Sequence, residues 1–178
     1  EVFEFMRRTE SDLKDSVLVP YATIMPTWES LQLWRQKGKS WNWPMMSGGM
    51  GLALLDERIS FDVNPSTEMS ERWLQRKKVI VLSGASGISE EGARRLTSWV
   101  RDGGSLLATY DTGLYDAEGL QRQDGGALQE VLGVKMKGGP SRSQPECYIR
   151  IKEKHAARMI RHGHRVRQWE PLLCLRVS

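Results

Sequence analysis

The stretch that decides the fold is 78–110, KVIVLSGASGISEEGARRLTSWVRDGGSLLATY. Its first residues, Val79-Ile80-Val81-Leu82, form a continuously apolar run, which is typical of a strand covered on both faces. Ser89 then stands where a helix N-cap belongs, and Gly103-Gly104 ends that helix before a second strand over 105–110. Because a helix joins the two strands, we predict that they lie parallel in one α/β sheet.

Further elements are predicted on either side of this unit. Thr27 can cap a helix over 28–37 that ends at Gly38, and a short helix over 127–132 is stopped by Gly133. The remaining predictions are a helix within 1–15, a buried strand within 16–25, an irregular loop over 39–51, a helix over 50–58, a strand over 59–63 and a strand over 146–152.

Length and composition limit the class of protein. With 178 residues, 39% of them hydrophobic, the chain suits one core, since domains cluster around ~100–150 residues. Apolar runs such as 52–55 are far shorter than the ~20 residues that cross a bilayer. No secretory signal opens the chain, so we expect a cytoplasmic protein without a membrane partner. The start at Glu1 and the abrupt end of an alternating segment at 175–178 suggest an internal piece with a truncated strand.

Two loops follow the predicted parallel strands, at the edge where ligands of such sheets bind. The first loop, 83–87, contains Ser83 and Ser86 with two glycines before a helix N-terminus. This pattern suits a cradle for a phosphate or carboxylate, or a simple strand-to-helix connector. It matches neither a P-loop nor a dinucleotide fingerprint, so no cofactor is predicted.

The second loop, 110–119, stands where several α/β enzymes place a nucleophile. Asp111 and Thr112 occupy that position, but no Ser or Cys accompanies them and every histidine lies far downstream. Asp111 and Asp116 could act as a carboxylate pair or bind a cation, and Tyr115 could contact a ligand. Alternatively, these polar residues hold the turn. A stand-alone hydrolase or transferase using this loop is therefore the alternative function.

The cysteines and histidines give no recognisable metal site. His162 and His164, like His155 and the nearby Cys147, match no familiar zinc spacing, so no metal is predicted. Cys147 and Cys174 are compatible with one disulfide or with two separate core residues.

Two further features could contact a partner. The basic stretch 150–167 would suit phosphates, but its acidic neighbours favour a solvated face, so no nucleic-acid partner is predicted. Trp41 and Trp43, in the predicted loop, could stack on a sugar ring or become buried in a subunit contact.

Several of these segments together resemble the β-galactosidase trimerisation domain, which has a class I glutamine-amidotransferase-like fold. The resemblance covers about 17–134. It rests on the segments KVIVLS (78–83), ISEE (88–91), LTSWV (96–100), DGG (102–104), LAT (107–109), TGLYD (112–116) and LQEVLGV (128–134). The amidotransferase cysteine and its His-x-Glu pair have no counterpart here, so glutaminase activity is not implied.

The resemblance implies a flavodoxin-like parallel sheet with helices on both faces. It divides the chain into a segment leaving a preceding domain (1–16), the amidotransferase-like domain (17–140) and a C-terminal extension (141–178). It also implies a non-catalytic domain of a glycoside hydrolase that assembles as a homo-oligomer, a trimer, and helps shape a neighbouring sugar site. Carbohydrate would then be bound through the parent enzyme.

Overall fold

The computed structural model describes residues 2–17, 19–38, 42–65, 69–134 and 175–176. One sheet of five strands has the order β2-β1-β3-β4-β5. The first four strands run parallel and β5 pairs antiparallel with β4. This is the flavodoxin-like order, so the predicted fold class is confirmed. The strands are β1 Ala22–Ile24, β2 Phe61–Val63, β3 Val79–Ser83, β4 Ser105–Thr109 and β5 Leu175–Arg176.

Six helices occur in the described part of the chain. They are α1 Val2–Leu13, α2 Trp28–Gln36, α3 Asn42–Asp56, α4 Glu71–Leu74, α5 Glu90–Arg101 and α6 Gln129–Leu132.

Both faces of the sheet are covered, as predicted. Alternate residues of β3 point to opposite faces, so Ile80 and Leu82 join a core with α4, α5 and α6. Val81 points the other way and packs with Met50 and Leu54 of α3. The described helices therefore pack on both faces of the sheet.

The β3–α5–β4 unit has the predicted form. The Ser89 hydroxyl accepts a hydrogen bond from the Gly92 amide at 3.2 Å, which caps α5. Beyond the helix, a Cβ on Gly104 would lie 2.3 Å from ring atoms of Trp99. Only glycine therefore lets the chain turn beneath that buried tryptophan and enter β4.

The predicted loop over 39–51 is wrong for the part that the structure describes. Residues 42–50 are helical and belong to α3. Glycine and tryptophan there resembled loop composition, but the helix covers a sheet face that would otherwise meet water. Pro44 is tolerated because it lies in the first turn, where a missing amide costs little.

The first strand is shorter than predicted. Val17 and Val19, expected to be buried, are 83% and 82% exposed, and the strand begins only at Ala22. Pro20 lies between the two regions and cannot donate to a ladder.

Several predictions fall outside the described residues: the strand over 146–152, the cysteines, the histidines and the basic stretch 150–167. The predicted terminal strand is present in part, as β5. Within the described ranges, no helix combines the length and apolar character needed to cross a membrane.

Replacing Ser89 by alanine tests the cap. The variant loses the only side-chain acceptor shown for the Gly92 amide, so we expect the free energy of unfolding to fall by about 1 kcal/mol in urea titrations. Ser98→Ala, at an exposed position inside the same helix, should leave it unchanged or slightly raised. Equal losses in both variants would contradict the capping role.

Candidate functional site

The two loops at the carboxyl ends of β3 and β4 are joined by backbone hydrogen bonds. The amide of Gly113 donates to the Ala85 carbonyl and that of Tyr115 to the Ser86 carbonyl, each at 2.9 Å. The amide of Ile88 donates back to the Tyr115 carbonyl at 3.1 Å. The predicted site loops therefore lie together, as a small extension of the sheet pairing.

The side chains of Ser86 and Asp111 connect the same loops from inside. Ser86 is 0% exposed and Asp111 is 2% exposed. The Ser86 hydroxyl donates to Asp111 Oδ1 at 2.6 Å, a short bond of the kind that carboxylates accept. Both residues were predicted at the site, but the serine hydroxyl is engaged by the carboxylate.

Thr112 has a similar role one residue later. Its hydroxyl is buried and lies 2.6 Å from the Thr109 carbonyl and 3.1 Å from the Leu82 carbonyl. Thr109 in turn accepts a hydrogen bond from the Gly84 amide through its own hydroxyl at 3.1 Å. These contacts fix the end of β4 to the end of β3.

The strained residue of the second loop is Tyr110. Its φ is +58°, in the left-handed region that non-glycine residues seldom adopt. Asp111 and Thr112, which were predicted at the elbow, do not have a positive φ. Tyr110 therefore occupies the elbow position directly after β4, and it is half-buried.

Hydrogen bonds bridge the crevice between β1 and β3, where flavodoxin-like sheets bind ligands. The Thr27 hydroxyl donates to the Gly87 carbonyl at 2.8 Å, and the Ser30 hydroxyl accepts from the Gly87 amide at 3.0 Å. A Cβ on Gly87 would lie 3.0 Å from the Glu29 backbone. Thr27 does precede α2, but its side chain does not make the predicted cap.

Asp116 and Tyr115 lie on the outer part of the loop. Asp116 Oδ1 accepts from the Leu120 amide at 2.8 Å, so Asp111 and Asp116 accept hydrogen bonds from different groups. The Lys37 ammonium lies 4.0 Å from the centre of the Tyr115 ring, within range of a cation–π contact. Both side chains are half-buried and remain partly accessible.

The other predicted site residues lie elsewhere. Ser83 ends β3, opposite Thr109 in register, and is half-buried. Trp43 belongs to α3, but the structure does not describe its side chain. Trp41 is not among the described residues. Among the residues that the structure describes, no group of three His, Cys, Asp or Glu side chains is placed to hold a metal.

Charged groups line the start of α5. Arg122 pairs with Glu90 in the first turn. Hydrogen bonds from Arg94 and Arg95 lower the pKa of Glu91 below its ordinary value. Because the folded-state pKa is lowered, any stability that Glu91 adds is present near neutral pH and is lost as the pH falls through that pKa.

The sequence predicted only some of the residues whose side chains join the loops at the carboxyl edge. Thr27, Ser30 and Thr109 join the loops but were not predicted as site residues. Their signal was weak, since each is a small polar residue at the end of a strand or the start of a helix. Their partners lie far away in sequence; Thr27 and Gly87, for example, are 60 positions apart.

The geometry defines a doubly wound α/β domain with a closed carboxyl edge, and solved structures identify where such a domain occurs. A β-galactosidase from Bifidobacterium adolescentis superposes with a TM-score of 0.56 at 25% identity, over 67% of this chain and 55% of that one. Gan42B, a GH42 β-galactosidase from G. stearothermophilus, gives 0.57 at 22% identity, over 74% and 19%. A β-galactosidase from Bacillus circulans sp. alkalophilus gives 0.58 at 18%, over 73% and 19%.

These matches agree with the resemblance indicated by the sequence: the fold of the chain is similar to that of part of several β-galactosidases. It covers about half of the first structure and about a fifth of the other two. No family model and no curated protein matches it. It is a glycoside hydrolase-related domain.

Removing the Ser86 hydroxyl tests the loop contact. Ser86→Ala leaves the buried Asp111 carboxylate without that donor, so we expect unfolding to require about 2 kcal/mol less free energy in urea titrations. Thr112→Val removes a hydroxyl that bonds uncharged carbonyls and should cost about 1 kcal/mol. A Ser86→Ala variant as stable as the parent would show that the hydroxyl does not hold the carboxylate.

Proposed function

We propose that this chain is a non-catalytic, amidotransferase-like domain of a glycoside hydrolase of the β-galactosidase type. Its role is subunit association, as a homo-oligomer and by expectation a trimer, together with shaping a neighbouring sugar site. The observation that carries the proposal is the closure of the carboxyl edge by the contacts of Ser86 with Asp111 and of Thr27 with Gly87.

The closure argues against chemistry at this edge. A nucleophile must reach a substrate atom at ~3 Å and have a base within hydrogen-bond range. Ser86, Asp111 and Thr112 are at most 5% exposed, and the two hydroxyls already donate to protein oxygens. Opening the site would break both loop connections and leave a carboxylate without its serine donor.

The comparisons support the choice of parent enzyme. The three solved structures compared above are β-galactosidases, and in two of them the matching region is about a fifth of the chain. A region of that size suits an accessory domain. By analogy, the glycosidase carboxylates would lie in another part of the longer protein.

Residues that would touch a neighbouring subunit or sugar are the accessible ones. Tyr115 and Asp116 are half-buried at the outer loop, and Ser83 is half-buried at the end of β3. Trp41 and Trp43 keep their predicted role as sugar-stacking or contact residues. The cytoplasmic location stays a prediction.

The stand-alone hydrolase or transferase is the less favoured reading, because Asp111 and Asp116 are held by different groups. Incubating the pure chain with aryl glycosides, esters and glutamine tests it directly. We expect no turnover above the uncatalysed rate. Turnover that disappears in Asp111→Asn, with circular dichroism showing the variant folded, would contradict the proposal.

The association claim has its own measurement. Light scattering on the pure chain over a wide concentration range should give a weight-average mass that rises above the 20.3 kDa of one copy. A mass that stays at one copy at the highest concentration would argue against self-assembly by this domain alone.

A further inference from the structure

A lysine and an aspartate form an ion pair beside strands β1 and β2. Asp62 is the central residue of β2, and Lys77 lies just before β3. The Lys77 ammonium lies 2.8 Å from Asp62 Oδ2, and the two side chains are 11% and 25% exposed. Both charges are therefore largely removed from water.

Thr23 adds the strand that lies between these two residues. The strand order places β1 between β2 and β3, and Thr23 of β1 is opposite Asp62 in register. The buried Thr23 hydroxyl donates to Asp62 Oδ1 at 2.5 Å, so each carboxylate oxygen receives a donor. Together the three residues connect β2, β1 and the start of β3, and we call them the β2 clamp: Thr23, Asp62 and Lys77.

Helix α4 fixes the position of the lysine. The Lys77 amide donates to the Leu74 carbonyl at 2.9 Å, and Leu74 belongs to the core on the α4 and α5 side of the sheet. The Lys77 ammonium also lies 4.7 Å from the centre of the Trp73 ring, within range of a cation–π contact. The charge that meets Asp62 is therefore held by an element outside β2.

The two faces of β2 have different surroundings. Phe61 points to the face that α3 covers, where it packs in a cluster with Ile24. Asp62 points to the opposite face, beside Thr23. A shift of β2 by one residue would exchange these faces. Asp62 would then enter the apolar cluster around Ile24, and Lys77 would lose its carboxylate.

Backbone pairing alone specifies the register of β2 weakly. The ladder between β1 and β2 covers three positions, whereas the ladder between β3 and β4 covers five. Backbone groups are the same at every residue, so register depends on which side chains each face presents. A charge buried without a partner is among the most costly errors that a shifted strand could make.

We propose that the β2 clamp is a conformational device that holds β2 in one register with β1 while adding little net stability. Removing two charges from water costs about as much as their attraction regains, so apolar replacement of a buried pair is often neutral. A shifted β2, in contrast, leaves both charges without partners. The clamp therefore discriminates between pairings of the strand. This inference is independent of the proposed function.

Urea titrations of full-chain variants separate net stability from discrimination. Asp62→Leu or Lys77→Met alone leaves one largely buried charge unpaired, so we expect the unfolding equilibrium constant to rise at least about tenfold. The apolar variant, Thr23→Val with Asp62→Leu and Lys77→Met, removes every polar group of the clamp. Its constant should return to within about fivefold of the parent value. An apolar variant that is unfolded, or less stable than either single variant, would overturn the proposal.

Amide exchange and NMR signals of the same apolar variant report the register. The amides of Ala22 and Asn64 bond across the β1–β2 pair, to the Ser60 and Ile24 carbonyls. We expect both to exchange at least about tenfold faster than in the parent, while the amides of β3 and β4 keep their protection. Residues 61–63 should also give more than one set of amide signals. A single set of signals with parental exchange rates would overturn the proposal.

Arg101→Met with Glu130→Leu is the matched control. This ion pair also joins two elements, α5 and α6, but its side chains are 61% and 70% exposed. Exposed pairs contribute little, so the control should keep the unfolding constant within about threefold of the parent and give one set of amide signals for 61–63. Extra signals in the control would show that they arise from any loss of charge, and would overturn the role assigned to the clamp.

Discussion

The hydrogen bond from Ser86 to the buried carboxylate of Asp111 is the interaction on which the rest of the carboxyl edge depends. A carboxylate in a dry interior is stable only when it is paired or hydrogen-bonded. By donating to one oxygen of that carboxyl group, Ser86 connects the loop after β3 to the loop after β4. The backbone bonds of Gly113 and Tyr115 can then form on either side of it.

This closure determines how the fold can be used. Open α/β sheets bind ligands where the strand order reverses, which here lies between β1 and β3. Thr27 and Ser30 occupy that position and bond to Gly87. With that crevice bridged, the outer loop around Tyr115 remains partly accessible for recognition. A domain built in this way is suited to contact.

The sequence predicts the centre of the fold well because its local signals agree. In 78–110 the apolar run, the Ser89 cap and the Gly103-Gly104 turn all favour one strand–helix–strand unit. Agreement fails at 42–50, where glycine and tryptophan suggest a loop and packing on the sheet imposes a helix. Agreement fails again at Val17 and Val19. Their β-branched side chains suggest that the buried strand begins there, but both side chains are exposed.

The site was predictable as a location but not as a set of contacts. Strand order places 83–87 and 110–116 at the same edge, which the sequence allowed us to expect. The pairing of Ser86 with Asp111 joins residues 25 apart, and that of Thr27 with Gly87 joins residues 60 apart. No local pattern specifies such pairings, since they depend on where the sheet brings the loops.

Hydrogen exchange of the loop amides tests the central claim, closure of the carboxyl edge, most directly. If the edge is closed, the amides of Gly113, Tyr115 and Ile88 open only with global unfolding, so they should exchange as slowly as those of β3. Exchange of these three amides on the timescale of exposed loops, while β3 stays protected, would show that the edge opens in the folded protein and would contradict the account.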